Sequence, residues 1–166
     1  IVLYDDVPRI DLLNSVTKLP IDRSDSIYHA FPLASDSPTV YLDVPGAVMR
    51  PGIDQVPGTA TDWHSIQDYF AVSSEKHTVT VASPDVPLVQ VNGINTGRWQ
   101  ETMLPHNGLV MSWVMNNYWF TNFPALQGGT VHYRYSLSSH AGPFDRQEST
   151  RFAKSIRQPL VALVFL

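Results

Sequence analysis

Residues 130–139 read TVHYRYSLSS, and apolar and polar side chains alternate along the stretch. The apolar side chains take every second position: Val131, Tyr133, Tyr135 and Leu137. The positions between them are polar: His132, Arg134, Ser136 and Ser138. Because neighbouring side chains of a strand point to opposite faces, this period of two predicts a β-strand with one buried and one solvated face.

The same alternation recurs on both sides of this stretch. The runs that show it are RIDLLNSVTK (9–18), TVYLDV (39–44), SIQDYFAV (65–72), HTVTVAS (77–83) and PLVQVNG (87–93). Most of the 13 prolines and 9 glycines lie between such runs, where turns require them. Many short strands with frequent turn signals predict an antiparallel β-sandwich.

One segment departs from the period of two. In FDRQESTRFAKSIRQP (144–159), Asp145 is placed to cap a first helical turn, and Glu148 follows three residues later. Phe152 and Ile156 stand one turn apart, and Pro159 forbids continuation. These signals predict one short helix near 146–157. The apolar run VALVFL (161–166) that follows is predicted to be a buried strand.

Composition narrows the classes of function. The chain has 166 residues, enough for one domain, and a net charge of −4 with no basic run. Binding to nucleic acid or to an anionic membrane is therefore not expected. The chain has no cysteine, so it offers neither disulfides nor thiolate metal ligands. We expect a soluble protein, cytoplasmic or exported.

Both ends of the sequence are apolar. The first residue is Ile1 rather than Met, and the last six residues carry no polar side chain. Free termini normally lie in polar sequence at the surface. We therefore expect residues 1–166 to be a single β-sandwich domain and a fragment of a larger multidomain protein.

A search for catalytic motifs finds few candidates. The six histidines are scattered, and none pairs with another histidine or a carboxylate at metal-ligand spacing, so no metal site is predicted. Glycoside hydrolysis needs two flanking carboxyl groups, and only Asp54 and Asp68 merit consideration. An ion pair of Asp54 with Arg50 that stabilises the loop is the favoured alternative. The glycine pair in QGGT (127–130) is predicted to form a hairpin turn.

Residues 115–124 read MNNYWFTNFP and mix aromatic rings with uncharged amides. Sugars present apolar C–H faces that rings cover and hydroxyls that amides bind. Asn116, Asn117, Trp119 and Asn122 supply both kinds of group. In the alternative interpretation, the rings belong to the core and the amides close backbone turns.

Several stretches taken together resemble a known family. They are LYDDVPRIDLLNSVTK (3–18), VPGAVMRPGIDQVPGTATDWHSIQDYFAVS (44–73), ASPDVPLVQVNGINTGRW (82–99), WVMNNYWFTNFPALQGGTVHYRYSL (113–137) and FDRQESTRFA (144–153). In this order they resemble the β-sandwich region of bacterial α-mannosidase-like enzymes of glycoside hydrolase family 38. The resemblance covers nearly the whole chain.

The resemblance implies a larger enzyme with an N-terminal α/β barrel, a helical bundle and C-terminal β-sandwiches. The catalytic carboxylates and the zinc ligands of such enzymes lie mainly in the barrel, so this segment is expected to have neither a catalytic residue nor a cofactor of its own. Its fold would be an antiparallel sandwich of the supersandwich, galactose-mutarotase-like kind. Its partners would be the barrel, the other domains and carbohydrate. The alternative is a free-standing carbohydrate-binding or domain-docking module.

Seven residues are the candidates for contact with substrate or with a neighbouring domain: Arg50, Asp54, Gln55, Asn116, Asn117, Trp119 and Asn122. In LVMSWVMNNYWFTNF (109–123), we expect Met111, Trp113 and Met115 on one face of a strand. The asparagines would then lie at the strand end and in the loop after it. We expect that end to lie near the RPGIDQVPG loop (50–58), so that the seven candidates share one edge of the sandwich.

Overall fold

The computed structural model describes residues 1–21, 23–33, 35–95, 97–98, 100–117, 126–158 and 160–162. Within these ranges the chain forms eleven strands and one helix. The strands are β1 (Val2–Leu3), β2 (Ile10–Lys18), β3 (Ser26–Pro32), β4 (Thr39–Val44), β5 (Ala47–Met49), β6 (His64–Ser65), β7 (Tyr69–Ser73), β8 (His77–Ala82), β9 (Leu88–Val91), β10 (Leu109–Asn116) and β11 (Gly129–Ala141), and the helix is α1 (Arg146–Arg157).

The strands form two antiparallel sheets. The large sheet has the order β1-β2-β11-β8-β7-β4-β5, and the small sheet has the order β3-β10-β9-β6. Strand β11, which contains the alternating stretch, pairs with β2 along its first part and with β8 along its last part. The prediction of a mainly β, antiparallel sandwich with one short helix is confirmed.

The main core lies between the two sheets. Buried side chains of the large sheet, such as Leu42 and Phe70, belong to one cluster with Phe31 and Val110 of the small sheet. The hydroxyl of Tyr135 donates a 2.8 Å hydrogen bond to Ser112 Oγ across the interior. Burial raises the pKa of this phenol well above its ordinary value.

Helix α1 covers part of the outer face of the large sheet. Its N-cap is Asp145, whose Oδ1 accepts hydrogen bonds from Gln147 N at 2.7 Å and Glu148 N at 3.0 Å. The helix buries Ala153 in a second apolar cluster with Tyr69 and Ala71 of β7. The predicted span, 146–157, and the predicted cap are both confirmed.

One local prediction stays untested and another is wrong. The residues before QGGT, 118–125, lie outside the described residues, so the hairpin predicted there stays a prediction. Met115 does not share a face with Trp113. The pairing of β10 with β3 shifts register between these two residues, and Met115 pairs with Ile27 whereas Trp113 pairs with Tyr28.

The C-terminal run lies mostly outside the described residues. Of VALVFL, the structure describes only Val161 and Ala162, which have no strand structure. The predicted terminal strand therefore stays a prediction for residues 163–166. Among the described residues, no helix has both the length and the apolar character needed to cross a bilayer.

Candidate functional site

Two long loops interlock at one end of the sandwich. The first, 50–63, connects β5 with β6, and the second, 92–108, connects β9 with β10. Gly52 packs so closely on the second loop that an added Cβ would lie 1.7 Å from Met103 O. Asn95 Nδ2 donates to Asp62 Oδ1 at 2.7 Å, and Thr61 Oγ1 donates to Gln100 O at 3.4 Å. These contacts join the two loops into one surface, which we call the loop end.

Arg50, Asp54 and Gln55 stabilise the first of these loops. Arg50 Nε donates to Asp54 Oδ2 at 3.0 Å, Arg50 Nη2 donates to Oδ1 at 2.8 Å, and the backbone N–H of Arg50 donates to Oδ2 at 2.8 Å. Hydrogen bonding from Arg50 lowers the pKa of the Asp54 carboxyl group. Gln55 accepts from Gly52 N at 2.9 Å and donates to Ala60 O at 3.2 Å. The favoured ion pair of Asp54 with Arg50 is confirmed.

Asp68, the other carboxylate considered for catalysis, holds helix α1 on the large sheet. Its side chain is 1% exposed and lies 2.6 Å from Lys154 Nζ and 2.8 Å from Arg157 Nη1. Arg157 also donates to the backbone oxygen of Gln67. Asp43 Oδ2 accepts from Asp68 N at 3.1 Å, and burial, together with the charge of Asp68, raises the pKa of Asp43. This cluster attaches the helix to the sheet.

Asn116 and Asn117 lie at the end of β10, as predicted. Ser26 Oγ donates to Asn116 Oδ1 at 3.4 Å. Asn117 is 4% exposed, its backbone N–H donates to Asp25 O at 2.8 Å, and its Nδ2 donates to Ile21 O at 3.3 Å. Its Oδ1 is buried and accepts no hydrogen bond in the described part of the chain. Trp119 and Asn122, the other two candidates of this group, lie outside the described residues.

The expectation that Asn116 and Asn117 share an edge with the loop end is wrong. The loop end contacts β10 near the start of the strand, because the backbone N–H of Asn92 donates to Leu109 O. The side chain of Asn92 donates to Leu104 O in the same loop. Asn116 is seven residues further along the strand, about 23 Å at the rise of an extended chain. Asn116 and Asn117 therefore lie at the opposite end of the sandwich from Arg50, Asp54 and Gln55, and the position predicted for Trp119 and Asn122 stays a prediction.

Sequence reasoning missed an aromatic cluster on the outer face of the small sheet. Ser112 contacts Tyr135 in the core, so the next side chain along β10, Trp113, faces outward. Its ring stacks on Tyr28 with centroids 5.6 Å apart and meets Trp63 edge-on at 6.0 Å. We call these three residues the outer aromatic cluster. Their signal in the sequence was weak, because the three rings come from segments 35 and 50 residues apart.

Three polar side chains lie on the same outer face as these rings or within the cluster itself: Ser26, Asn116 and the indole of Trp113. Ser26 is two positions from Tyr28 along β3 and so lies on the same face, and Asn116 of β10 pairs with Ser26. Trp113 is 9% exposed, and its indole N–H is buried and makes no hydrogen bond within the described residues. The groups that a ligand can reach on this face are therefore the half-buried rings of Tyr28 and Trp63 and the amide of Asn116, and rings beside an amide suit contact with sugars.

The loop end also carries apolar side chains that water reaches. Ile53 is 52% exposed, Val56 73%, Ile94 56% and Leu104 59%. Ile53 and Leu104 line a shallow cleft of about 220 Å³ together with Arg50 and Pro51. Ile53 and Leu104 therefore form one exposed apolar patch across the two loops, and such patches are a feature of surfaces that contact other proteins.

The described residues do not fit a metal site. No group of three or more histidine, aspartate or glutamate side chains within them converges closely enough to hold a metal ion. The zinc that the resemblance implies for the barrel has no matching ligand set in the described part of this chain.

Comparison with known proteins adds no assignment. A scan against protein-family models finds no matching family, and a search of curated proteins finds no significant match.

Proposed function

We propose that this chain is a non-catalytic β-sandwich domain of an α-mannosidase-like glycoside hydrolase. It supports the catalytic barrel and lines part of the carbohydrate cleft. The observation that carries the proposal is the loop end, where four exposed apolar side chains lie on two loops held together by hydrogen bonds. The resemblance of the sequence to the β-sandwich region of these enzymes supports the same conclusion.

The chemistry of the loop end suits contact with another domain. Interfaces between domains of one chain are moderately apolar with a polar rim. Val56 and Leu104 provide apolar area, and the Arg50–Asp54 pair provides a polar rim whose geometry is already formed before contact. A surface that is ordered in advance loses little conformational entropy on docking.

The ion pairs of Asp54 and Asp68 support a structural role for both carboxylates. Asp54 accepts three hydrogen bonds from Arg50, and Asp68 pairs with two cations of helix α1. A general acid in glycoside hydrolysis needs a raised pKa, whereas hydrogen bonding lowers the pKa of Asp54. Asp54 is therefore better suited to stabilising its loop than to protonating a leaving group.

The docking role is tested in the full-length enzyme. We expect Val56→Asp to weaken contact between the domains, because it places an unpaired charge in an apolar interface, and so to lower the melting temperature of the barrel by several degrees. Leu13→Asp is the matched control, since Leu13 is 64% exposed on the large sheet and lies in β2, away from both loops. Equal effects of the two variants would contradict docking through the loop end.

The catalytic role is tested on the chain itself. We expect no turnover of an aryl α-mannoside by residues 1–166, with or without added zinc. The control is the same preparation of Asp54→Asn. Turnover that this substitution abolishes would assign Asp54 to catalysis and would refute the proposal.

A second candidate function is a free-standing carbohydrate-binding module. The outer aromatic cluster favours it, because stacked rings beside an amide are suited to binding a sugar. Saturable quenching of tryptophan fluorescence by mannose oligosaccharides, reduced in Tyr28→Ala, would support this function. Absence of quenching by any oligosaccharide, with the folded state intact by circular dichroism, would favour the domain of a larger enzyme.

A further inference from the structure

One cleft among the described residues is separate from the loop end and from the outer aromatic cluster. It encloses about 340 Å³ between the segment before β4 and the hairpin that joins β7 to β8. Tyr41 forms one wall, and the acidic and basic groups at its mouth are Asp36, Glu75 and Lys76. None of these residues belongs to the loop end or to the outer aromatic cluster.

One wall of the cleft is the ring of Tyr41, which packs against a second aromatic ring. Tyr41 stacks on Phe144 with centroids 4.0 Å apart and planes 10° apart. Phe144 belongs to the cluster that packs helix α1 on the large sheet, so the ring of Tyr41 is held in place from behind. A ring that is fixed on one side presents apolar surface to a ligand without losing much conformational freedom.

The mouth of the cleft carries charges of both signs. Lys76 Nζ donates to Asp36 Oδ2 at 3.4 Å, and the two side chains are 80% and 90% exposed. An exposed pair of this kind contributes little to stability, so it opens at small free-energy cost to exchange partners with a ligand. Next to it, Ser37 has a φ of 52°, a conformation that is uncommon for residues other than glycine and is enriched at ligand sites.

These groups favour a neutral ligand over an ion. An anion would meet two carboxylates, and a cation would compete with Lys76 for the same carboxylates. A neutral polyol has hydroxyls that both donate and accept, and the cleft offers a cation that donates, carboxylates that accept and the hydroxyls of Thr39 and Ser74. Its volume corresponds to about eleven waters, which suits a molecule of about a dozen heavy atoms.

We propose that the cleft between Tyr41, Asp36, Glu75 and Lys76 binds a single neutral polyhydroxylated ring, with the apolar face of the ring against Tyr41. Asp36, Glu75 and Lys76 bind the hydroxyls of that ring. The proposal does not depend on the function proposed above, because it uses a different set of residues.

The test is a titration of the protein with two neutral ring polyols, methyl α-mannopyranoside and myo-inositol. NMR signals of the Tyr41 ring and of the Lys76 amide report binding. We expect saturable shifts with at least one polyol and an affinity about tenfold or more weaker in Asp36→Ala and in Glu75→Ala, since each loses a charged hydrogen-bond partner. Both side chains are at the surface, so both variants are expected to fold.

The matched control is Asp85→Ala, which removes the acidic member of another exposed ion pair, the one with Arg134. We expect this variant to keep the affinity of the unmodified protein. Three results would overturn the proposal: no saturable shift with either polyol, equal loss in Asp85→Ala, or stronger shifts with choline or inorganic phosphate than with the polyols. Binding that persists in Val56→Asp would show that the cleft acts independently of the loop end.

Discussion

Replacing Asp68 by asparagine removes the carboxylate that ties helix α1 to the large sheet. The side chain is 1% exposed and pairs with Lys154 at 2.6 Å and Arg157 at 2.8 Å. Asparagine has nearly the same shape and keeps one oxygen acceptor, whereas its amide nitrogen, a donor, faces one of the two cations, so Asp68→Asn removes the charge and one of the two acceptors. We expect the free energy of unfolding to fall.

The size of this effect follows from the exposure of the partners. A hydrogen bond to a charged group contributes about 1.5–3 kcal/mol, and breaking a fully buried ion pair costs about 3–5 kcal/mol. Here the side chains of Lys154 and Arg157 are 39% and 45% exposed, so water solvates both cations after the substitution. The expected loss of stability is therefore about 2 kcal/mol.

Urea unfolding followed by circular dichroism measures this loss. We expect a lower midpoint with an unchanged dependence on urea, because the surface exposed on unfolding stays the same. The control is Asp85→Asn, whose partner Arg134 is 51% exposed, and for which we expect a loss under about 0.5–1 kcal/mol. A loss in Asp68→Asn no larger than in this control would refute the assignment of Asp68 to helix docking.

Two further predictions concern the loop end and the core. In Gly52→Ala, the new Cβ would lie 1.7 Å from Met103 O at a residue with a φ of +74°, so we expect the free energy of unfolding to fall by about 3 kcal/mol. In the control Gly58→Ala, φ is +81° but the Cβ meets open space, so we expect a loss of about 1 kcal/mol. Equal melting temperatures of the two variants would contradict the close packing of the loops. His64 is 5% exposed, its Nε2 makes no hydrogen bond within the described residues, and burial lowers the pKa of its imidazole. Below the ordinary pKa of about 6.5, the unfolded chain therefore binds a proton that the folded state resists. The free energy of unfolding is unaffected by this group above that pH, and it decreases as the pH is lowered further, by at most about 1.4 kcal/mol per pH unit. Urea midpoints at pH 7 and pH 5 should differ less in His64→Leu than in the unmodified protein, and an unchanged difference would exclude His64 as the cause.

The sequence predicted the features that depend on near neighbours. The alternation in TVHYRYSLSS identified β11, and Asp145, Phe152, Ile156 and the helical period identified α1 with its correct bounds. The ion pair of Arg50 with Asp54 was also accessible, because the two residues are four apart in one loop. All of these signals lie within a few residues of the structure that they predict.

The tertiary structure alone decided which segments meet. The register shift between Trp113 and Met115 places Met115 on the opposite face of β10 from Trp113, and no local sequence pattern predicts this shift. The pairing of Trp113 with Tyr28 and Trp63, and the placement of Asn116 at the opposite end from Arg50, depend on which strands become neighbours in the small sheet. The hydrophobic period and the capping residues determine structure within a single strand or helical turn. The order of the strands is instead set by the burial of the two sheets against each other, and this burial brings together residues a hundred positions apart.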